Sequence, residues 1–146
     1  MKQSKNLEKQ IKISIIIYCF EFKYLEKTII SIINQDFDKY EIIIVYDNNE
    51  YTFLNLISNF INKYQNIKII NIKKRKGILY SYSKGILSSQ GDFILTLKSG
   101  ETLANENILN NLYKIIINNY FDILEFNLLI NNLKNININI WCNPIY

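Results

Sequence analysis

Four stretches rich in apolar residues recur along the chain, and each has the length of a β-strand. They span Ile13 to Tyr18, Ile42 to Tyr46, Ile67 to Ile72 and Phe93 to Leu97. Runs without polar alternation are typical of strands buried on both faces of a sheet. A further stretch, Asp122 to Phe126, predicts a fifth strand.

The segments between these runs have helical periodicity. Apolar residues three and four positions apart predict helices beginning near Tyr24, around Leu54 to Tyr64, over Leu79 to Leu87 and from Ile108 to Ile116. Asn105 stands where it could cap the last of them. Strands and helices thus alternate, which favours an α/β fold: a mostly parallel, Rossmann-like sheet with helices on both faces.

The pattern changes near residue 128. Asn and Ile alternate strictly from Asn135 to Ile140, which suits a half-buried strand that is antiparallel or lies at a sheet edge. Biased codon use could also produce this alternation. We therefore predict an N-terminal extension (1–11), an α/β domain (12–127) and a C-terminal segment (128–146) that holds the edge strand.

Composition excludes several kinds of chemistry. The 146 residues include 17 basic and 13 acidic residues, a net charge of +4, and no histidine. Without histidine the chain can build neither a Ser-His-Asp or Cys-His nucleophile nor an HExxH zinc site. The charge is compatible with phosphate-bearing ligands and does not require nucleic acid as a partner.

The N-terminal sequence MKQSKNLEKQ lacks the apolar stretch of a signal peptide. No run approaches the roughly 18 apolar residues of a membrane span. Cys19 and Cys142 form neither a disulfide framework nor a metal-ligand spacing. We therefore expect a cytoplasmic location and no transmembrane segment.

Concentrated polar sequence follows each of the first four predicted strands. These stretches are Cys19-Phe20-Glu21, Asp47-Asn48-Asn49, Lys73 to Gly77 and Lys98-Ser99-Gly100-Glu101. In open α/β sheets, ligands bind outside the carboxyl ends of the strands. The sequence therefore predicts a ligand site along one rim of the sheet.

Two sequence blocks carry a family resemblance. ISIIIYCFEFKYLEKTIISIINQDFDKYEIIIVYDNN contains an opening strand, a Leu-Glu-Lys-Thr helix, an Asn-Gln turn and a second strand ending in an acidic loop. KGILYSYSKGILSSQGDFILTL adds a glycine-bracketed helix and another strand. From Lys12 to about Phe126 the chain resembles the amino-terminal half of a family 2 glycosyltransferase, which has the nucleotide-diphospho-sugar transferase (GT-A) fold. The resemblance implies a nucleotide-sugar ligand, of UDP type.

The resemblance also implies residue roles, each with a simpler alternative. Asp47 matches the acidic residue that accepts from the uracil imide N–H, although it or Asn49 could instead cap the next helix. Tyr18 could stack on the base or be buried as a packing residue, and Glu21 could touch the nucleotide or cap a helix. The predicted nucleotide-binding set is Tyr18, Glu21, Asp47, Asn49, Gly77 and Lys98.

The metal motif of the family is degenerate in this chain. Relatives place Asp-x-Asp where Lys98-Ser99-Gly100 stands, because Mg²⁺ or Mn²⁺ binds carboxylate oxygens and neutralises the leaving diphosphate. An ammonium group cannot ligate a cation, so we expect no metal cofactor bound in the family's mode. Drift in a protein that no longer needs catalysis is the simpler explanation, and the sharper hypothesis is that Lys98 itself contacts the diphosphate without metal. Relatives often have Arg-Asn where this chain has Tyr82-Ser83.

The resemblance implies a catalytic base from an acceptor-binding half, yet residues 127–146 contain no Asp or Glu. Residues 128–146 could be the start of that half. We therefore expect a donor-binding glycosyltransferase domain with no catalytic residue of its own, weak or inactive alone unless a partner protein completes it. A non-catalytic binding module derived from a glycosyltransferase, or a remnant without a ligand, are the alternatives.

Overall fold

The computed structural model describes residues 10–46, 51–74, 76–118, 123–128 and 136–142. Its strands are β1 (Ile13–Cys19), β2 (Tyr40–Tyr46), β3 (Ile67–Asn71), β4 (Phe93–Lys98), β5 (Ile123–Leu128) and β6 (Ile136–Cys142). Its helices are α1 (Leu25–Ile33), α2 (Tyr51–Lys63), α3 (Ile78–Leu87) and α4 (Ile108–Asn118), and a 3-10 helix (Phe22–Tyr24) precedes α1. The predicted alternation of strands and helices is confirmed.

The strands form one six-stranded sheet in the order β3-β2-β1-β4-β6-β5. The first four strands are parallel, with Ile15 of β1 beside Ile42 of β2 and Leu95 of β4. β1 and β2 are buried on both faces, which explains why their sequences are apolar apart from Ser14 and Glu41. The predicted parallel α/β sheet is therefore confirmed.

The C-terminal strand corrects one expectation. β6 is antiparallel to β4 and β5, as one of the two sequence alternatives proposed. It is not at the sheet edge, because it lies between β4 and β5, and β5 takes the edge. The alternation of Asn and Ile predicts a half-buried strand, but it cannot specify which neighbours that strand pairs with.

Helices cover both faces of the sheet, as predicted. On one face α1, α2 and α4 contribute Leu25, Phe53 and Leu109 to a core with the strand residues. On the other face α3 packs on β1 and β2, and its Tyr80, Tyr82 and Ile86 meet a second apolar cluster. Among the described residues, no helix combines the length and the apolar character needed to cross a membrane.

Glycine allows α3 to approach the sheet closely. A Cβ atom on Gly85 would lie 2.4 Å from Cγ2 of Ile16, a fully buried residue at the centre of β1. Carbon atoms in contact are normally about 3.5–4.0 Å apart, so no larger residue fits without movement. Gly85 therefore sets the distance between α3 and the sheet, and with it the position of the residues at the start of α3.

Candidate functional site

The loops after β1 and β4 are neighbours at the carboxyl rim of the sheet. Tyr18 pairs with Lys98 in the parallel register, and the Ser99 N–H donates to the Tyr18 carbonyl at 3.0 Å. The Glu21 N–H then donates to Ser99 Oγ at 3.2 Å. Because these bonds join the two loops directly, side chains separated by about eighty positions share one surface.

A cavity of about 420 Å³ opens between these loops and the start of α3. It is lined by Tyr18, Phe20, Glu21, Tyr24, Ile78, Lys98 and Ser99. Three predicted site residues, Tyr18, Glu21 and Lys98, are therefore brought together. Sequence reasoning missed the other four as site residues. Phe20 and Ser99 lie within the predicted loops. Tyr24 directly precedes α1 and Ile78 begins α3, and no sequence pattern marked either of them as a site residue.

The cavity has an aromatic wall. Tyr18 is only 8% exposed, with its ring edge towards Tyr82 at 6.3 Å between centroids, which supports the packing alternative for Tyr18. Phe20 lies 6.4 Å from Tyr18 and is 52% exposed. An exposed ring at the cavity mouth can stack on a planar ligand, so Phe20 is better placed for that task than Tyr18.

Two charged side chains mark the polar part of the cavity. Lys98 and Glu21 are both exposed. Glu21 is the N-cap residue of the 3-10 helix, but its side chain makes no capping hydrogen bond, so its carboxylate is not used for capping. Among the described residues Lys98 has no carboxylate within ion-pair distance. Its ammonium can therefore meet an anionic ligand.

Tyr82 lies behind this wall, where relatives often have arginine. Its hydroxyl donates to the Leu97 carbonyl at 3.4 Å, a long hydrogen bond. Burial raises the pKa of Tyr82, and the negative charge of Glu101 adds to the effect. Tyr82 thus stays neutral and supplies no positive charge to the cavity.

The β4 loop does not fit a divalent cation. Its only carboxylate, Glu101, accepts from the Lys98 N–H at 2.7 Å through Oε2, and the Glu101 N–H donates back to the Lys98 carbonyl at 3.0 Å. Gly100, at φ 99°, offers no side chain, and Lys98 carries a positive charge. No group of three or more potential metal-binding side chains occurs in the part of the chain that the structure describes.

One side of α1 holds the segment that follows β4. Thr28 Oγ1 accepts from the Gly100 N–H at 2.9 Å, and Ser31 Oγ accepts from the Leu103 N–H at 3.1 Å. Gln35, in the turn after α1, accepts from the Leu109 N–H at 3.0 Å through Oε1 and so caps the start of α4. These three polar residues position the segment that follows β4. Their spacing in the sequence did not predict this role.

The predicted cap Asn105 has a more local role. Its Oδ1 accepts from the Asn107 N–H at 3.0 Å, in the turn before α4. Its carbonyl accepts from the Gln35 side chain at 2.6 Å. The expectation that Asn105 caps α4 is therefore wrong, because Gln35 reaches the helix N–H group from a distant segment.

The remaining predicted residues have different outcomes. Gly77, at φ 85°, is the N-cap residue of α3 and directly precedes the cavity residue Ile78, but does not itself line the cavity. Asp47 and Asn49 lie outside the described residues. β2, which leads to them, ends at Tyr46 beside Cys19 of β1.

Solved structures with the same fold are known. This chain matches S. aureus TarS 1-349 in complex with UDP with a TM-score of 0.75 and 23% identity, covering 84% of this chain and 37% of that one. TarS 1-349 in complex with UDP-GlcNAc gives 0.76 and 22%, with 84% and 36% covered. The mannosyltransferase PcManGT from Pyrobaculum calidifontis, in complex with GDP-Man and Mn²⁺, gives 0.64 and 14%, with 70% and 31% covered. The fold is therefore GT-A-like.

Sequence comparison agrees with the fold. An uncharacterized glycosyltransferase of Haemophilus influenzae is 28% identical over 85 residues, 58% of this chain and 34% of that protein. The chain thus spans about a third of the length of these relatives. The family model of glycosyl transferase family 2 matches residues 14–132. Since that match includes most of the sequence, the chain belongs to glycosyl transferase family 2.

Proposed function

We propose that this domain binds the donor nucleotide-diphospho-sugar of a glycosyltransferase, in the cavity between the β1 and β4 loops. The observation that carries the proposal is the joint placement of Glu21, Lys98 and Ser99 beside exposed aromatic rings at the carboxyl rim of a family 2 domain. Ligands of open α/β sheets bind at this rim. The cavity volume, about 420 Å³, lies within the usual range for small-molecule sites.

The nature of the ligand follows from the lining residues and from similar proteins. Structures with this fold hold UDP, UDP-GlcNAc or GDP-Man, and we propose a UDP-type donor here. The exposed ring of Phe20 offers apolar contact for a base, and Ser99 offers a hydroxyl. Asp47 and Asn49 stay predicted contacts of the nucleotide, and Gly77 stays a predicted residue of its phosphate-side loop.

Lys98 supplies the positive charge that the diphosphate needs. Among the described residues it is the one cation that lines the cavity, and its carboxylate neighbour Glu101 is engaged with the backbone. An ammonium contributes a compact point charge suited to phosphate. We therefore propose that donor binding does not require Mg²⁺ or Mn²⁺ held by an Asp-x-Asp motif.

Sugar transfer requires more than donor binding. A base must remove the proton of the acceptor hydroxyl, and residues 127–146 carry no carboxylate for that task. We propose that these 146 residues bind the donor without transferring sugar on their own, and that a completing protein segment or partner supplies the base. The cytoplasmic location stays a prediction from the sequence.

Titration calorimetry with UDP tests the proposal. We expect binding by the wild-type chain, no change in affinity on adding Mn²⁺, and about a tenfold loss in Lys98→Ala, because a charge-assisted contact is removed. Lys27→Ala, an exposed lysine on α1, is the matched control and keeps wild-type affinity. Absence of UDP binding by the wild type contradicts the site. Unchanged affinity in Lys98→Ala refutes the role of Lys98, and tighter binding with Mn²⁺ refutes metal independence.

A further inference from the structure

A second cavity, which we call the basic groove, lies beside α3 at the β3 edge of the sheet. It has a volume of about 390 Å³ and is lined by Ile70, Asn71, Ile72, Lys73, Lys74, Lys76, Tyr80 and Lys84. Four of these lining residues are lysines, and none is acidic. The net charge of the whole chain is only +4, so positive charge is strongly concentrated here.

The basic groove is separate from the donor cavity. Tyr80 and Lys84 are four positions apart and share one side of α3, whereas Ile78 faces the donor cavity. Because each helical residue turns by about 100°, Ile78 and Tyr80 point about 200° apart. The body of α3 thus stands between the two cavities, and a ligand in one leaves the other accessible.

The lysines are organised around Tyr80. The ammonium groups of Lys76 and Lys84 lie over its ring, 4.6 and 5.4 Å from the centroid. These cation–π contacts hold two charges at the groove wall. They also occupy the ring, which is therefore not a free stacking surface for a base. The groove suits a charged chain better than a nucleoside.

We propose that the basic groove binds a chain of linked phosphate groups, and that it does so independently of the donor cavity. Lys73, Lys74, Lys76 and Lys84 provide more positive charge than one phosphate neutralises, which favours several phosphates in sequence. Ile70 and Ile72 contribute the apolar part of the groove lining. A short oligophosphate and a longer polyphosphate present the same chemistry to this surface, because both join phosphate groups directly to one another.

Fluorescence competition with inorganic polyphosphate of defined length tests the proposal on the full chain. The groove variant Lys73→Gln/Lys76→Gln/Lys84→Gln is compared with Lys27→Gln/Lys39→Gln/Lys63→Gln. Both variants lose three positive charges from exposed lysines, and Lys63 lies over the Tyr64 ring at 5.2 Å, so the control also loses a cation–π contact. Circular dichroism verifies that each variant is folded.

We expect the groove variant to lose polyphosphate affinity by about tenfold or more, because contacts with several phosphates are removed. The control variant should stay within about twofold of the wild type, and the wild type should bind tripolyphosphate more tightly than orthophosphate. Equal losses in the two variants, or tighter binding of single-stranded DNA of the same charge, overturn the proposal. UDP affinity, measured in parallel, stays unchanged in the groove variant, so failure here is distinguishable from failure of the donor site.

Discussion

Glu101 accepts a hydrogen bond from the backbone N–H of Lys98, three residues earlier, at 2.7 Å from Oε2. The carboxylate of Glu101 is thereby turned back on the backbone of its own loop. The Lys98 side chain is left to face the donor cavity. This turn therefore leaves the Lys98 ammonium at the rim, while the neighbouring carboxylate of Glu101 is held by the backbone.

The hydrogen bond rather than the charge of Glu101 should stabilise the loop. We expect Glu101→Ala to lower the free energy of unfolding by about 1 kcal/mol, since a hydrogen bond from an amide is lost. Glu101→Gln retains an acceptor oxygen and should lose less than half of that. Urea denaturation measures both variants. Equal losses would show that the negative charge is what matters.

The close contact between Gly85 and Ile16 predicts that the stability lost in Gly85→Ala depends on the side chain at position 16. Gly85→Ala should destabilise the protein by about 1–3 kcal/mol, because its Cβ would overlap Cγ2 of Ile16. Ile16→Val retains an equivalent methyl group, so the penalty should persist in that background. In Ile16→Ala the methyl group is absent and the penalty of Gly85→Ala should vanish.

Denaturant titration of the two double variants and their parents measures this coupling. Ser83→Ala, an exposed position on the same helix, is the control and should change stability by less than about 0.5 kcal/mol. A full penalty in the Ile16→Ala background would mean that α3 is displaced for another reason.

Both the nitrogen and the oxygen of the Gln35 amide form hydrogen bonds, so two substitutions of Gln35 should differ in how their stability depends on pH. Its nitrogen donates to the Ser31 and Asn105 carbonyls, and its oxygen accepts from the Leu109 N–H. Gln35→Ala should lower the free energy of unfolding by about 2 kcal/mol at every pH, because the cap of α4 and two donated hydrogen bonds are lost.

Gln35→Glu should also be destabilised at neutral pH, since a carboxylate facing two carbonyls cannot donate. The same carboxyl group can donate once it is protonated, so this variant should regain stability relative to the wild type as pH falls. Thermal unfolding at several pH values checks the difference. A Glu variant as stable as the wild type at pH 7 would contradict the assigned bonds.

Glu41 is a buried carboxylate at the amino end of β2, far from the rim. Burial, the largest influence, raises its pKa, but hydrogen bonds from Lys68, Ser14 and the Gln90 N–H together outweigh burial and lower the pKa below its ordinary 4.5. A lowered pKa in the folded state means that ionised Glu41 stabilises the fold above pH 4.5. This contribution is lost as pH falls through the folded-state pKa.

Glu41→Gln should therefore be less stable than the wild type at pH 7 and should lose less stability between pH 5 and pH 3. The measurement is the free energy of unfolding across this range. Asp92→Asn, which removes the partly buried partner of Lys12, is the control for loss of a second ion pair. Parallel acid sensitivity in wild type and Glu41→Gln would rule out Glu41 as the group responsible.

Much of the fold was predictable because it depends on local periodicity. Ile13–Cys19 and Tyr40–Tyr46 are buried on both faces, and their sequences, apolar apart from Ser14 and Glu41, identify central parallel strands. Lys98 was identifiable as a site residue because it ends a strand, where a parallel sheet exposes its loops. Phe20 was not singled out, because an aromatic residue next to a buried strand is usually part of the core.

The sequence by itself determined the succession of strands and helices, the common rim at which the loops after β1 and β4 meet, and the presence of a lysine at the end of β4. Only the tertiary structure decided that Glu101 is engaged with the backbone, that Gln35 caps α4, and that β6 lies inside the sheet. The physical reason is range. Periodicity encodes which face of an element is buried, whereas hydrogen-bond partners dozens of residues apart are selected only when the packed elements meet.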